Sequence, residues 1–318
     1  MRVSWAGKDR SRARGLSVGV AAPAPVSPSR RRTGRGEVYE RIGCLKGHGT
    51  KAPAAKRTGG IILKSSREIE LMRAAGSVVQ RVLTKMRAVV RPGVTTGELD
   101  AIAEKIVADA GGIALFKGVE NTQARFAFPG TLCTSVNEEL VHGVPGDRAL
   151  EEGDVVSVDC GVRLAGYCGD AATTIAVGAI APDAERLLDV TKRALDLAME
   201  QMRPGRMWSE IATQMQCLVE AEGMSVVRDF VGHGIGRSMH EDPKVPNYWN
   251  ARQARMDFEL VPGLVLAVEP MVNLGRHAVE YGDASRWVIV TRDRKYAAHF
   301  EHTLAVTDRG VDVLTGAC

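Results

Sequence analysis

Aromatic residues, long hydrophobic runs and paired cysteines are scarce or missing in this 318-residue chain. No run of about 18 apolar residues occurs, which excludes a transmembrane helix. No apolar segment with a cleavage site follows the basic N-terminus, so a secretory signal peptide is not expected. Aromatic residues make up only 5% of the chain, so aliphatic side chains must fill the core. The six cysteines form no CxxC pair, which predicts reduced thiols in a cytoplasmic protein.

Charge is distributed unevenly along the chain. Residues 1–60 contain 14 Lys or Arg and 3 Asp or Glu, a net charge of +11, whereas residues 61–318 carry −7. The first segment also includes three consecutive arginines and a proline-rich stretch, without apolar periodicity. We predict a disordered basic extension over residues 1–60 and a folded domain over residues 61–318. The extension is either an arm that contacts RNA or a segment without function.

Two similar pairs of helices are predicted in the folded domain. Capping-box patterns at Ser65 and Thr95 begin the first pair, and the second pair is expected over residues 182–202 and 209–222. Arg91-Pro92-Gly93 recurs as Arg203-Pro204-Gly205 at an offset of 112 residues, followed by matching apolar positions. The constant register favours an internal duplication over two unrelated amphipathic helices that share a pattern.

Strand-rich sequence follows each helical pair and carries polar residues in the same order. We therefore expect an α/β (α+β) fold of two halves, each with a helical pair and a sheet, around a pseudo-twofold axis. The acidic residues would meet where the halves join. In chain order, the polar residues are His142, Asp159 and Asp170 in the first half, and His233, Glu269 and Glu301 in the second.

Residues 154–176 read as a β-hairpin with two acidic residues in apolar surroundings. If the turn centres on Leu164-Ala165, Asp159 lies directly opposite Asp170, with Cβ atoms about 4.5–5.5 Å apart. Such like charges repel, and no lysine or arginine is suitably placed in the strands to compensate them. A divalent metal ion, or a pair of ions about 3.5–4 Å apart, would do so. Two exposed acids would be the alternative, but two further acids, Glu269 and Glu301, also adjoin apolar strands.

The cysteines and histidines are less informative when taken singly. Cys160 and Cys168 are predicted to point to opposite faces of the hairpin, which disfavours a disulfide between them. His233 lies in a Gly-His-Gly-Ile-Gly segment, and His142 precedes a glycine. His240 follows seven residues after His233. No function is assigned to the other four histidines, which are His48, His277, His299 and His302.

Taken together, the motifs resemble type I methionine aminopeptidases over about residues 61–315. The segments that carry the resemblance are Phe128-Pro129, Cys133 to Glu138, His142-Gly143, Asp159 and Asp170 eleven residues apart, Gly232 to Arg237 with His240, Val268 to Asn273, and Glu301-His302-Thr303.

The resemblance implies a duplicated pita-bread fold and two divalent metal ions (cobalt, manganese, iron or zinc). Asp159 would chelate one ion, Asp170 and Glu301 would bridge, and His233 and Glu269 would complete the second. Glu269 would also accept a proton, while His142 and His240 would handle the substrate and the charge of the transition state. The methionine pocket would be lined by Phe128, Cys133, Met239 and Trp287.

The implied activity is removal of the N-terminal methionine from nascent proteins whose second residue is small. The resemblance further implies a cytoplasmic, monomeric, ribosome-associated enzyme, with residues 61–318 as its catalytic domain and no membrane contact. One departure from the family lies in residues 119–128, which are longer and more polar than the usual glycine-rich loop. Arg125 stands there where an aromatic or small residue is common.

Three alternatives share parts of this pattern. Prolidase and aminopeptidase P have the same fold and ligand set, but they usually carry a sizeable N-terminal domain. Type II methionine aminopeptidases have an insertion between the positions of His240 and Glu269, where this chain has only 28 residues. A non-catalytic relative that binds ribosomes or RNA would lack one or more of the five ligands, all of which are present.

Overall fold

The computed structural model describes residues 60–316, which contain both predicted helical pairs. The basic extension predicted for residues 1–60 lies outside the described residues, apart from Gly60. Ser65 and Thr95 cap the first two helices, each through a complete capping box, as the sequence predicts. The helices are α1 (Ser66–Val89), α2 (Thr96–Asp109), α3 (Pro182–Gln201) and α4 (Trp208–Ala221).

The internal duplication is visible in the turns before α2 and α4. Both helices have 14 residues and begin 112 residues apart, at Thr96 and Trp208. Gly93 and Gly205 precede them with φ angles of 88° and 86°, which glycine adopts without steric cost. Each glycine N–H donates a 2.8 Å hydrogen bond, to Leu150 O and Leu260 O respectively. The two halves therefore repeat one backbone arrangement.

Fifteen strands form four antiparallel sheets within residues 60–316. The strands are β1 (Ile113–Ala114), β2 (Leu132–Val136), β3 (Glu139–Val141), β4 (Val155–Leu164), β5 (Tyr167–Ala176), β6 (Ser225–Val226), β7 (Gly232–Gly234), β8 (Glu241–Val245), β9 (Val265–Val268), β10 (Met271–Asn273), β11 (Val279–Tyr281), β12 (Ile289–Thr291), β13 (Ala297–His299), β14 (His302–Thr307) and β15 (Gly310–Val313). In the first half, β4 pairs with β1, β2 and β5. In the second half, the largest sheet has the order β15-β14-β9-β7-β8, and a smaller sheet has the order β13-β10-β6. The fourth sheet, β11-β12-β3, pairs two strands of the second half with β3 of the first.

The β4–β5 hairpin differs from the prediction in its register. Its two turn residues are Ala165 and Gly166, with φ angles of 49° and 82°, so Leu164 pairs with Tyr167. Asp159 consequently opposes Ala172, and Asp170 opposes a glycine. The predicted turn at Leu164-Ala165 and the direct pairing of the two aspartates are therefore wrong. The aspartates are diagonal neighbours, but they do lie on the same face of the sheet.

The two halves are joined between β5 and the start of β14. Glu301 N donates to Ala172 O at 3.0 Å, and Ala172 N donates back to Glu301 O at 3.4 Å. The Thr303 hydroxyl donates to Asp170 O at 2.8 Å and accepts from Asp170 N at 3.0 Å. This junction brings an acidic residue of each half together, as the duplicated pattern predicts.

The core is mostly aliphatic, as the low aromatic content predicts. In the first half, Leu83 and Leu99 of the helices pack with Leu132 and Val156 of the sheet. The fully buried Trp208 is an exception in the second half, where its indole N–H donates to a backbone carbonyl. No helix within residues 60–316 is long and apolar enough to span a membrane.

The cysteines agree with the sequence prediction only in part. Cys133, Cys160 and Cys168 are free and buried. Cys160 pairs with Ala171 in the hairpin register, so it faces away from Cys168, as predicted. Cys217 is disulfide-bonded, so the expectation of six reduced thiols is wrong for this residue.

Candidate metal centre

Five elements position the predicted metal ligands. Asp159 lies on β4 and Asp170 on β5, while His233 is the middle residue of β7. Glu269 directly follows β9, and Glu301 directly precedes β14. Strand β9 lies between β7 and β14, with Ala267 opposite His233 and Val268 opposite the residue after Glu301. The second-half ligands therefore converge on the three central strands of their sheet, beside the junction with β5.

The five side chains form one cluster. Ligand atoms of Asp170, His233 and Glu301 all lie within 4.8 Å of one another, which makes them a candidate metal-binding group. His233 Nε2 is 3.5 Å from Glu269 Oε1. The carboxyl group of Asp159 neighbours that of Asp170, which helps to raise its pKa. The structure thus brings together every residue that the sequence proposes as a ligand.

Burial makes this cluster electrostatically unfavourable without a cation. Asp170 and Glu301 are 4% and 2% exposed, and the side chain of Glu269 is 14% exposed. Desolvation, reinforced by the neighbouring carboxylates, raises the pKa values of Asp159, Glu269 and Glu301 well above their usual range. Desolvation also raises the pKa of Asp170 to about 7. Among the described residues, the ion-pair partners of Glu269 and Glu301 are histidines.

The cluster fits a divalent transition-metal ion. Asp159 Oδ1, Asp170 Oδ1 and Glu301 Oε1 are buried and have no hydrogen-bond partner. Such atoms are costly to bury unless they are paired or coordinate a metal. Four carboxylates with one imidazole form a donor set suited to manganese, iron, cobalt or zinc. A bound divalent cation would therefore coordinate the unpaired oxygens and also favour the ionised form of the carboxyl groups.

Two further histidines of the predicted site lie beside the cluster. The ring centroid of His240 is 4.4 Å from that of His233, and His240 is exposed to solvent. His142 has a φ angle of 60° and packs edge-on against Phe230, with centroids 5.6 Å apart. Burial and the nearby His240 lower the pKa of His142 to about 4, and partial burial lowers the pKa of His240. Both rings are therefore neutral near pH 7 and each offers one N–H donor.

One histidine that sequence reasoning dismissed belongs to the site. His299 is 2% exposed, and its Nε2 lies 3.7 Å from Glu269 Oε2 and 3.9 Å from Glu301 Oε2. Residues two apart along an extended segment share a face, so its spacing from Glu301 was a usable signal. His302, expected on the opposite face, has its Nδ1 2.9 Å from Thr315 Oγ1. His277 makes no contact with the cluster that would assign it a function.

The predicted pocket residues form an apolar cluster of their own. Phe128, Cys133 and Trp287 are buried together, and Met239 packs against them. Phe128 and Trp287 meet edge-on, with ring centroids 5.2 Å apart. Cys133 on β2 lies directly opposite Asp159 on β4. The apolar cluster therefore borders the acidic cluster.

Comparison with known proteins identifies the family. The sequence profile of metallopeptidase family M24 matches residues 70–308. The chain belongs to family M24. Methionine aminopeptidase 1 of Bacillus subtilis is 45% identical over 255 residues, which cover 80% of this chain and 99% of that protein. The methionine aminopeptidase of Escherichia coli is 38% identical over 257 residues, covering 80% and 94%.

Solved structures of M24 enzymes agree with this assignment. Methionine aminopeptidase from Thermotoga maritima has a TM-score of 0.75 at 37% identity, covering 81% of this chain and 100% of that chain. The predictions of a methionine aminopeptidase-like peptidase and of a pita-bread fold are thereby confirmed. Prolidase from Pyrococcus furiosus has a TM-score of 0.60 at 20% identity and is covered over 66% of its length. At this identity the likeness shows the shared fold alone, so the prolidase alternative is not favoured.

Proposed function

We propose that this M24 chain removes the N-terminal methionine from polypeptides whose second residue is small. The observation that carries the proposal is the apolar Phe128–Trp287 cluster bordering the buried acidic centre across the Cys133–Asp159 pair. An unbranched thioether suits such a pocket, because sulfur packs favourably against aromatic rings. The sequence similarity to enzymes named methionine aminopeptidases supports the same reaction.

We propose that the acidic centre holds two divalent cations, with cobalt, manganese, iron and zinc as candidates. Asp170 and Glu301 would be shared by both cations. Their supporting observation is their place at the junction of the two halves, within 4.8 Å of His233. Asp159 would hold one cation, and His233 and Glu269 the other. When bound, such cations polarise a scissile carbonyl and lower the pKa of water.

The remaining chemistry falls to side chains of this chain. Glu269 would accept a proton at its carboxylate, and its support is that it belongs to the cluster and its side chain is 14% exposed. His240 donates an N–H to the oxygen on which negative charge develops, a contact worth about 3 kcal/mol in comparable sites. His142 positions the substrate peptide from the other side. The second residue must be small in this proposal, because it enters at the mouth of the centre.

The proposed cellular setting follows from the substrate. N-terminal methionines are presented by nascent chains, so we place the enzyme in the cytoplasm, acting as a monomer near ribosomes. Residues 61–318 form the catalytic domain in this proposal. The basic extension, with its net charge of +11 over residues 1–60, supplies any contact with ribosomal RNA.

A peptide panel tests the proposed reaction. We expect metal-dependent release of methionine from Met-Ala-Ser, Met-Gly and Met-Ser starts, and no release from Met-Lys or Met-Phe starts. The physical reason is that a large second residue clashes at the mouth of the centre. Product release is followed by chromatography with and without chelator. Cleavage of Xaa-Pro peptides in place of Met-Ala-Ser would instead favour the prolidase alternative.

Deleting residues 1–60 tests whether the extension contacts ribosomes while residues 61–318 alone carry out catalysis. We expect peptide hydrolysis to stay within about twofold, because all proposed site residues lie beyond this segment. Co-sedimentation with ribosomes should fall on deletion and should weaken steeply with salt, since it would rest on phosphate contacts. A large loss of peptide turnover, or equal and salt-insensitive sedimentation of both forms, would contradict this division of roles.

A further inference from the structure

The 119–128 loop meets the segment that joins β11 to β12 beside the apolar cluster of Phe128, Cys133 and Trp287, and Gln123 joins the two. Gln123 lies in the 119–128 loop, and its Oε1 accepts a hydrogen bond from Tyr281 Oη at 3.2 Å. The same oxygen accepts a second bond from Arg286 Nη1 at 3.4 Å. The guanidinium of Arg286 also lies over the Tyr281 ring, 5.3 Å from its centroid. Gln123 Oε1 therefore accepts hydrogen bonds from two side chains, Tyr281 and Arg286, that also stack on each other.

The contacts next to this junction reach the pocket wall. Trp287 Nε1 donates a 2.8 Å hydrogen bond to Phe126 O of the 119–128 loop. Arg125 N donates to Ser285 O at 3.2 Å, so the loops are also joined through the backbone. The Trp287 ring packs edge-on against Phe128 within the apolar cluster. The position of the indole, and with it the shape of the pocket, therefore depends on how the two loops are held together.

The backbone at this junction is strained. Arg286 has a φ angle of 60°, in the left-handed region that a residue with a long side chain seldom adopts. Such a conformation persists only where its surroundings hold it, and it is often found at functional sites. The side chain of Arg286 is held by Gln123 and Tyr281, and its backbone directly precedes Trp287. The strained residue Arg286 is therefore the direct neighbour of Trp287 in the chain.

We propose that Gln123 is a specificity-determining positioning residue, whose Oε1 fixes the two loops so that Trp287 keeps the pocket shaped for methionine. This inference rests on the proposed function. Both bonds to Gln123 are exposed to solvent and so add little to global stability. Instead, we expect the two bonds to affect discrimination between substrates whose first side chains are similar in size. For such substrates, small differences in fit change rates by 10- to 200-fold.

The chemistry of the junction predicts which substitutions it tolerates. Gln123 acts there only as an acceptor, through a single oxygen. A carboxylate accepts the same two bonds and adds an attraction to the Arg286 guanidinium. Gln123→Glu should therefore preserve the junction, whereas Gln123→Ala removes it. A residue that mattered only for loop packing would not show this difference.

The experiment compares wild type with Gln123→Ala and Gln123→Glu. Gln80→Ala is the control, because Gln80 lies on α1 and bonds Thr84 of the same helix. Steady-state kinetics are measured on Met-Ala-Ser and Leu-Ala-Ser, together with bound metal and melting temperature. We expect Gln123→Ala to lower the preference for methionine about 10-fold, mainly through KM, with unchanged metal content. Gln123→Glu and Gln80→Ala should keep the wild-type preference.

Two results would overturn the inference. One is an unchanged preference for methionine in Gln123→Ala, and the other is an equal loss in Gln123→Ala and Gln123→Glu. If Gln123→Ala fails to fold, Tyr281→Phe removes one donor while keeping the ring, and an unchanged preference there counts against the inference. Failure of the proposed function itself is distinguishable, because wild type would then release no methionine from Met-Ala-Ser.

Discussion

Replacing Asp170 with asparagine is expected to lower methionine release more than about 100-fold and to remove most of the bound metal, since even outer partners of metal ligands cost 10- to 100-fold. Asp170 is 4% exposed, and one of its carboxylate oxygens has no hydrogen-bond partner. An amide has nearly the same shape but lacks the negative charge that holds a cation. Elemental analysis of the purified variant and peptide hydrolysis at saturating metal are the two measurements.

The matched control for this variant is Asp109→Asn. Asp109 is the last residue of α2, and its exposed side chain pairs with Lys105 at 2.8 Å on the surface. Its substitution should leave activity and metal content unchanged, because an exposed pair of this kind contributes little. Normal metal content and full activity in Asp170→Asn would contradict the assignment of Asp170 as a ligand.

The metal-free protein is expected to lose stability as the pH rises through about 7. The pKa of Asp170 is raised to about 7, and those of Asp159, Glu269 and Glu301 are raised well above their usual range, all mainly by desolvation. A carboxyl group whose folded pKa is raised stabilises the fold fully below its unfolded pKa of about 4, and this contribution is lost as pH rises through the folded pKa. For each carboxyl group that is protonated in the folded state and ionised in the unfolded state, the free energy of unfolding falls by about 1.4 kcal/mol per unit rise in pH.

The pH window matters, because buried histidines act in the opposite direction. Burial lowers the pKa values of His142 and His233 to about 4 and of His299 to about 3, so they destabilise the fold as pH falls below about 6.5. Urea unfolding in chelator is therefore compared between about pH 7 and about pH 8, where unfolded histidines are mostly neutral and unfolded thiols mostly protonated. Added divalent cation should restore stability at about pH 8. Stability that is constant or rises with pH in chelator would contradict a buried acidic cluster.

The helices and the duplication could be predicted because their signals are local. The capping boxes at Ser65 and Thr95 and the Arg-Pro-Gly repeat define the ends of helices without reference to distant residues. The prediction of the hairpin register was wrong because the register depends on the type of turn. A two-residue turn with positive φ at both positions matches the twist of the strands, and Gly166 supplies one of them. The resulting slip is two residues, so both aspartates kept their common face.

The assembly of the site could be predicted only in outline. The order of acidic residues in each half indicated that they meet, but the hydrogen bonds between Ala172 and Glu301 that join the halves are long-range contacts with no sequence signal. His299 carries no signal when each histidine is taken singly. Its position two residues before Glu301 on one face would have indicated its contact with the cluster.

The most direct test of a cation-dependent methionine aminopeptidase is a metal titration of the stripped protein with activity measured on the same samples. Binding is followed by calorimetry, and methionine release from Met-Ala-Ser is followed by chromatography. The account predicts no release without metal, a rise in step with occupancy, and saturation by two ions per chain. Full methionine release by protein that holds no metal, in excess chelator, would contradict it.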